Sequence, residues 1–304
     1  MNTYAAYYDH EIRLDSSSGG LFSVIASEFD IVYGVAMTKD NYGAEFIRAE
    51  RDISALRGSK YLQATLGDTF KLVKEDLING KRVLFTGTGC QINGLSHFLK
   101  KEYSNLFLLD VVCHGVPSHK VWRGYLKEQE KNNGKVTTVH FRCKKNGWKD
   151  FGLEENQKFI PMSQNSYMQL FLRNYCLRPS CYECHAKEYK CSDMTIADFW
   201  GIEEIVPEMY DENGVSLVIV RTEKAQDLFS RIRSSIVCTE VSYEDGVKEN
   251  SAEYKSVERP IQRAGFYNDL NSKGYRYAAK KYLEGPTWKR TARKIKKILR
   301  GGGA

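Results

Sequence analysis

Lys81 to Tyr103 reads KRVLFTGTGCQINGLSHFLKKEY. Lys81 to Phe85 has the dense apolar character of a buried strand. Thr86-Gly-Thr-Gly-Cys-Gln91 supplies glycines for a close turn, and from Ile92 the apolar spacing becomes helical. A strand, a glycine-rich turn and a helix make half of a βαβ unit, and ligands bind at the carboxyl ends of such strands. No Lys-Ser or Lys-Thr pair follows the glycines, so this is not a Walker loop. Cys90, at the helix start, has its thiolate favoured by the helix dipole.

The next segment repeats the plan. Asn105 to Val112 (NLFLLDVV) predicts a strand, Cys113-His-Gly-Val-Pro-Ser118 a turn, and His119 to Lys131 a helix. Two successive strands therefore deliver Cys90 and Cys113 to equivalent places, and in a parallel sheet those places share one edge. His114 beside them is a candidate proton donor. Upstream, Asp15-Ser-Ser-Ser-Gly-Gly20 precedes a helical run at Leu21, Val24, Ile25 and Phe29, offering hydroxyls and free N–H groups to an anion. An ordinary helix cap would leave the same pattern. Ile31 to Met37 predicts a strand, Gly58-Ser-Lys-Tyr61 a polar turn, and Thr69 to Asn79 an amphipathic helix. Downstream, strands are expected at 135–142, 215–220 and 237–241, and helices at 166–177, 225–234 and 262–283. The fold class is α/β: a mixed, largely parallel sheet with flanking helices, a cysteine-rich insertion and a helical C-terminal extension. The boundary is set near residue 245, dividing a 1–245 domain from a 246–304 extension.

The insertion, Cys176 to Gly201, reads CLRPSCYECHAKEYKCSDMTIADFWG and holds four of the eight cysteines. Cys181 and Cys184 form a CxxC pair, a spacing that brings two sulfurs to one metal. Two ligand sets are open. The local one is Cys176, Cys181, Cys184 and Cys191, which would close a zinc knuckle with His185 in reserve. The dispersed one joins Cys90 and Cys113 to Cys181 and Cys184 and ties the insertion to the sheet edge. Spacing does not choose between zinc and iron–sulfur. No Cys–His–acid order marks a nucleophile, and Cys143 and Cys238 stand apart.

At 304 residues, 42% hydrophobic and 27% charged, the composition is that of a globular protein. No run is long enough to span a bilayer. The N-terminus lacks a signal-peptide pattern, so a cytoplasmic location and reduced cysteines are expected. The net charge of +7 is accounted for entirely by seven basic residues after Thr287, in a segment without acids. The neutral body gives no footprint for nucleic acid. The tail, with Trp288, Ala292, Ile295 and Leu299 on one face, is expected to form a basic amphipathic helix suited to peripheral membrane contact.

SSSGG, GSKY, VLFTGTGCQINGL, LDVVCHGVPS, FRCKKNGW, LRPSCYEC, DMTIADFWG and GVSLVIV occur in that order. In this the chain resembles the coenzyme F(420) hydrogenase/dehydrogenase beta-subunit family from about Tyr4 to Val220. The resemblance implies an oxidoreductase with a flavin, FAD or FMN, beside a 4Fe–4S cluster, moving electrons between the cluster and a hydride-accepting or hydride-donating, deazaflavin-like small molecule. It favours Cys90, Cys113, Cys181 and Cys184 as cluster ligands. It implies that Ser17, Ser18, Gly19, Gly20, Ser59, Lys60, Thr86, Gly87 and Thr88 cradle the flavin, with His114 and Asp198 near the redox pair. Gly89 departs from a proline common before the turn cysteine, and Tyr42 to Glu50 lacks a histidine found in many members. No ferredoxin-like module precedes Asn2, so a separate ferredoxin-like or other electron-donor protein is expected. Some members serve surface-polysaccharide assembly. The alternative expectation is a non-redox accessory protein of that assembly with a structural zinc site.

Overall fold

The computed structural model describes residues 1–284, and the expected tail helix with its membrane contact lies outside the described residues. In chain order the elements begin with β1 (Asn2–Tyr7), α1 (Leu21–Ala26), β2 (Ile31–Met37), β3 (Ala44–Ala49), β4 (Ala64–Thr65) and α2 (Thr69–Ile78). β5 (Val83–Thr88), α3 (Gly89–Leu99), β6 (Leu106–Val111) and α4 (His119–Asn133) follow. Next come β7 (Val139–Cys143), β8 (Gly152–Glu155), β9 (Lys158–Pro161), α5 (Ser166–Leu172), β10 (Met194–Asp198) and α6 (Ile202–Ile205). The chain continues through β11 (Ser216–Val220), α7 (Glu223–Ile232), β12 (Val237–Val241), α8 (Tyr243–Val247) and α9 (Arg263–Glu284).

Nine strands form one mixed sheet in the order β12-β1-β11-β10-β6-β5-β2-β3-β4. Its centre, β10-β6-β5-β2, is parallel, while β11 and β1 continue it antiparallel. The parallel strands are apolar throughout because both faces are covered. On one face Leu84, Phe107 and Leu109 meet Leu21, Val24 and Ile25 of α1 and Leu228, Phe229 and Ile232 of α7. On the other, Val83, Phe85, Leu106 and Leu108 meet Val73 and Leu77 of α2 and Ile92, Leu95 and Leu99 of α3. Strand residues alternate between the two cores, and α7 presents Ala225, Leu228, Phe229 and Ile232 at helical spacing. Each large side chain so buried contributes about 1.5–3 kcal/mol.

The three-stranded sheet β7-β8-β9 and helices α4, α5 and α9 enclose a third, aromatic core. Trp122, Tyr125, Phe141, Tyr167, Phe171 and Tyr275 pack in it, supplied by all three helices and β7. The helical part after residue 245 is thus packed onto α4 and α5. Gly274, with φ 81 and ψ 174, breaks α9 into two arms.

Three expectations shift. β5 runs through Thr86-Gly-Thr88 rather than ending at Phe85, because those residues pair with Leu109, Asp110 and Val111 of β6, and α3 starts at once at Gly89. α5 stops at Leu172 rather than Leu177, since Asn174 takes a left-handed conformation (φ 62). The strand expected from Lys135 begins only at Val139, after a loop pinned by the Asn156 carboxamide to the N–H groups of Thr137 and Thr138.

Candidate functional site

The carboxyl ends of β5, β6 and β10 lie side by side, with Thr88 opposite Val111 and Val111 opposite Ile196. The chain leaves β5 directly into α3. The backbone N–H and hydroxyl of Thr88 both donate to Gln91 Oε1, at 2.9 and 3.0 Å, locking the first helical turn. The Thr88 hydroxyl is 3.2 Å from Cys90 Sγ and so fixes that thiol at the sheet edge. A Cβ on Gly87 would fall 2.9 Å from Gln91 Oε1, so a glycine there leaves room for the lock.

One strand over, the chain passes through Cys113, His114 and Gly115 and then runs alongside the cysteine-rich insertion. Ser118 N–H donates to the Cys176 carbonyl (2.8 Å) and Arg178 N–H to the Val116 carbonyl (2.9 Å). This short pairing aims the turn at Pro179–Glu183 back toward Cys113. Val116 N–H donates to Cys181 Sγ at 3.4 Å, and Cys184 N–H donates to the Ser256 hydroxyl at 2.9 Å.

Cys90, Cys113, Cys181 and Cys184 line one cleft, together with Thr88, Asp110, His114 and Lys187. Cys176 and Cys191 do not line it. Cys176 is fully buried in the aromatic core, and Cys191 hangs by its N–H from Asn93 Oδ1 beside α3. Among the described residues no three His, Cys, Asp or Glu side chains close on a point that would hold a single ion. Four thiols from three segments thus face one cleft, the residue type that ligates zinc or iron–sulfur centres. Burial pushes the Cys113 thiol up to about 12, with the Lys187 charge opposing. It raises Cys181 too, with the Val116 N–H opposing. Such thiols ionise when a metal supplies the compensating charge.

His114 lines the same cleft, its Nε2 2.7 Å from Asn174 Oδ1 and its ring against Phe171. Burial lowers its pKa, favouring the neutral ring. From the cleft wall at Asp110 and Lys190 a buried charge network extends inward, which the sequence reading did not assign. Thr195 donates to Asp110 Oδ1 at 2.5 Å, Arg221 donates to Thr195 Oγ1 at 3.0 Å, and Glu253 joins Arg221 to Lys190. Burial raises the Asp110 pKa. Lys187 Nζ donates to the Cys113 carbonyl at 2.6 Å and to the Ala252 carbonyl.

A second locus adjoins the first on the same sheet edge, where Asp198 at the end of β10 faces Ser216 at the start of β11. The Ser17 hydroxyl accepts from Ser59 N–H (2.8 Å) and lies 2.9 Å from the Ser59 hydroxyl, joining the two loops expected to act together. Ser18 donates to the Val215 carbonyl and Gly19 N–H to the Ser216 hydroxyl, so these two anchor the loop to β11. Gly19 has no room for a Cβ, which would sit 2.5 Å from the Ala6 carbonyl oxygen. Gly20 takes a left-handed φ of 82 to turn the chain into α1.

Lys60 does not reach outward: its Nζ folds back onto the carbonyls of Ala55 and Arg57 at 2.8 and 2.7 Å, and burial lowers its pKa to about 7. The cations beside Ser17 are ones the sequence reading did not assign. Arg142 donates to the Ser17 carbonyl (3.2 Å) and to Asp198 Oδ1 (2.7 Å), and its Nε is buried without a partner among the described residues. Lys144 Nζ sits on the carbonyls of Arg13, Ser18 and Asn213, and burial lowers it to about 8. Asp198 therefore stands apart from the cysteines, fixed by Arg142 and by Trp148 Nε1 at 2.7 Å. Trp148 stacks on Trp200 with centroids 5.0 Å apart. Tyr61 joins the loci, its ring 5.0 Å from Phe171, which in turn contacts His114.

No protein of the curated set matches this chain. Among solved structures, a chain of the F(420)-reducing nickel–iron hydrogenase complex from Methanosarcina barkeri, in a xenon-derivatised form, superposes with a TM-score of 0.57. The two are 14% identical, and the match covers 89% of this chain and 92% of that one. At that identity the likeness is one of fold. Among the described residues no helix is long and apolar enough to cross a membrane. Residues 80–246 match the family defined by the C terminus of the coenzyme F(420) hydrogenase/dehydrogenase beta subunit. That span contains the four cleft cysteines, His114, Asp198 and Thr86 to Thr88, and leaves out Ser17 to Gly20, Ser59 and Lys60. The chain belongs to that family, and so to the redox proteins related to the coenzyme F(420) hydrogenase.

Proposed function

We propose that this protein is a flavin- and 4Fe–4S-dependent oxidoreductase that moves electrons between an iron–sulfur centre and a hydride-exchanging small molecule. The convergence of Cys90, Cys113, Cys181 and Cys184 on one cleft carries the proposal. A zinc knuckle of neighbouring cysteines would need Cys176, which is fully buried in an apolar core. The cleft cysteines would hold the cluster, which supplies one-electron transfer when bound. The locus of Ser17, Ser59, Arg142 and Lys144 is where flavin phosphates would bind. Arg142 supports this with a buried, unpartnered N–H, and Thr86 to Thr88 continue the same edge. Neutral His114, oriented by Asn174 between the loci, would hold or pass a proton at its ring nitrogens. Asp198 is a positioning residue that fixes Arg142. Electrons would come from a ferredoxin-like or other donor protein.

Anaerobic purification tests this. Broad absorption at about 400 nm that bleaches with dithionite is expected from thiolate-bound iron, with flavin released on denaturation. A colourless protein with stoichiometric zinc and no flavin would sink the proposal.

A further inference from the structure

Lys187 and Lys190 line the cysteine cleft, Arg221 lies behind it, and the three differ in how their charge is met. Lys190 and Arg221 share the buried carboxylate of Glu253, at 2.9 Å in the case of Lys190. Lys187 also lines the cleft, but its ammonium donates only to carbonyls, of Cys113 at 2.6 Å and of Ala252. Among the described residues Lys187 makes no salt bridge. It is half-buried, in the short helical turn His185–Lys187 directly after the CxxC pair. The result is a positive charge without a carboxylate partner, clamped to the backbone of one cleft cysteine.

We propose that Lys187 sets the reduction potential of the centre held in this cleft, as a fixed cation that stabilises the added electron. This rests on the proposed iron–sulfur function. Four thiolates give the centre a net negative charge, and one electron makes it more negative without forming or breaking a bond. A fixed positive charge at the cleft favours the reduced state, and a low-dielectric pocket screens it weakly. Lys190, which also lines the cleft, is instead paired with the Glu253 carboxylate.

The test uses anaerobically purified full-length protein, with iron content measured and dithionite delivered through mediator dyes in a spectroscopic redox titration. Lys187→Met removes both charge and hydrogen bonds. Lys187→Gln removes the charge and keeps an N–H donor, and Lys187→Arg keeps the charge. Both neutral variants are expected to lower the reduction equilibrium on the order of tenfold, a midpoint about 59 mV more negative for one electron. The arginine variant is expected to titrate with the wild type. Iron-loaded neutral variants with the wild-type midpoint would overturn the proposal. Loss of iron from both neutral variants would also overturn it, by making Lys187 a structural anchor. Wild-type protein that holds no iron would defeat the underlying function itself, a result visible before any titration.

Discussion

Gly115→Ala tests how the two cysteine-bearing segments are held together. Gly115 has a φ of +150, and a Cβ there would lie 2.7 Å from Leu177 Cδ1 and 3.2 Å from Cδ2. Leu177 is fully buried, and its backbone is tied by the bonds of Ser118 to Cys176 and of Arg178 to Val116. Its side chain is packed in the aromatic core, on the segment that leads into the turn carrying Cys181. Overpacking a core contact costs about 1–3 kcal/mol, and an L-residue in a positive-φ conformation costs roughly 1–2 kcal/mol more. For a chain of this size the sum of about 2–5 kcal/mol corresponds to a fall of roughly 3–8 °C in Tm. Differential scanning fluorimetry reads the fall, and iron and acid-labile sulfide per chain read the displacement of Cys181. Both should decline together, and Leu177→Ala in the same chain should restore much of the iron. A Gly115→Ala protein with full iron and a Tm within about 1 °C of wild type would refute the coupling.

Cys90→Ser and Cys113→Ser should each abolish iron retention, whereas Cys176→Ser and Cys191→Ser should keep it; elemental analysis distinguishes the sets. Arg142→Met should release the flavin, measured by fluorescence after filtration, and should destabilise by about 1–3 kcal/mol because it leaves the Asp198 carboxylate with Trp148 Nε1 but without its cation. Lys60 gives a pH signature. Its folded pKa, lowered to about 7, lies below the usual lysine value, so the unfolded chain binds more protons between the two. Its contribution therefore makes stability rise from pH 7 toward about pH 10, and denaturant melts of wild type minus Lys60→Met should show that rise. A flat difference would mean that Lys60 is hydrated. Asp76 works in the opposite range. Arg48, and after it Tyr33, hold its carboxylate below the usual range, so its contribution is lost as pH falls below about 4. Asp76→Asn should accordingly cost most at neutral pH and least in acid.

The parallel centre of the sheet was legible because strands covered on both faces leave unbroken apolar runs. Thr86 to Thr88 carry no such mark, so the last turn of β5 appears only through its pairing with β6. The β8–β9 hairpin does leave a mark in the sequence: Asn156 and Gln157, with φ of 47 and 67, make a two-residue turn between short strands. Spacing placed Cys181 in both ligand sets but left Cys176 open as a member of one, and its burial in the aromatic core, away from the cleft, sets it apart. Asp110 was missed, although it continues the positions of Leu106 and Leu108 on a buried strand, where a carboxylate is out of place. Lys187 was not legible, because its importance lies in which backbone it reaches.

The position of β1 bears on how this protein is made. Residues 2–7 form an inner strand between β11 and β12, pairing with residues 216–220 on one side and 237–241 on the other. On the ribosome this segment therefore waits for partners synthesised more than 200 residues later. At roughly 5–20 residues per second that wait lasts on the order of ten to fifty seconds. All four cleft cysteines emerge within it, before the sheet is closed. Nascent chains would thus present reactive thiols while still incomplete, and iron supplied too early would meet ligands without their scaffold. Expression with slowed translation or limited iron–sulfur supply should accumulate soluble but oxidised chains, whereas shortening the wait by permuting β1 to follow β11 should improve cluster yield.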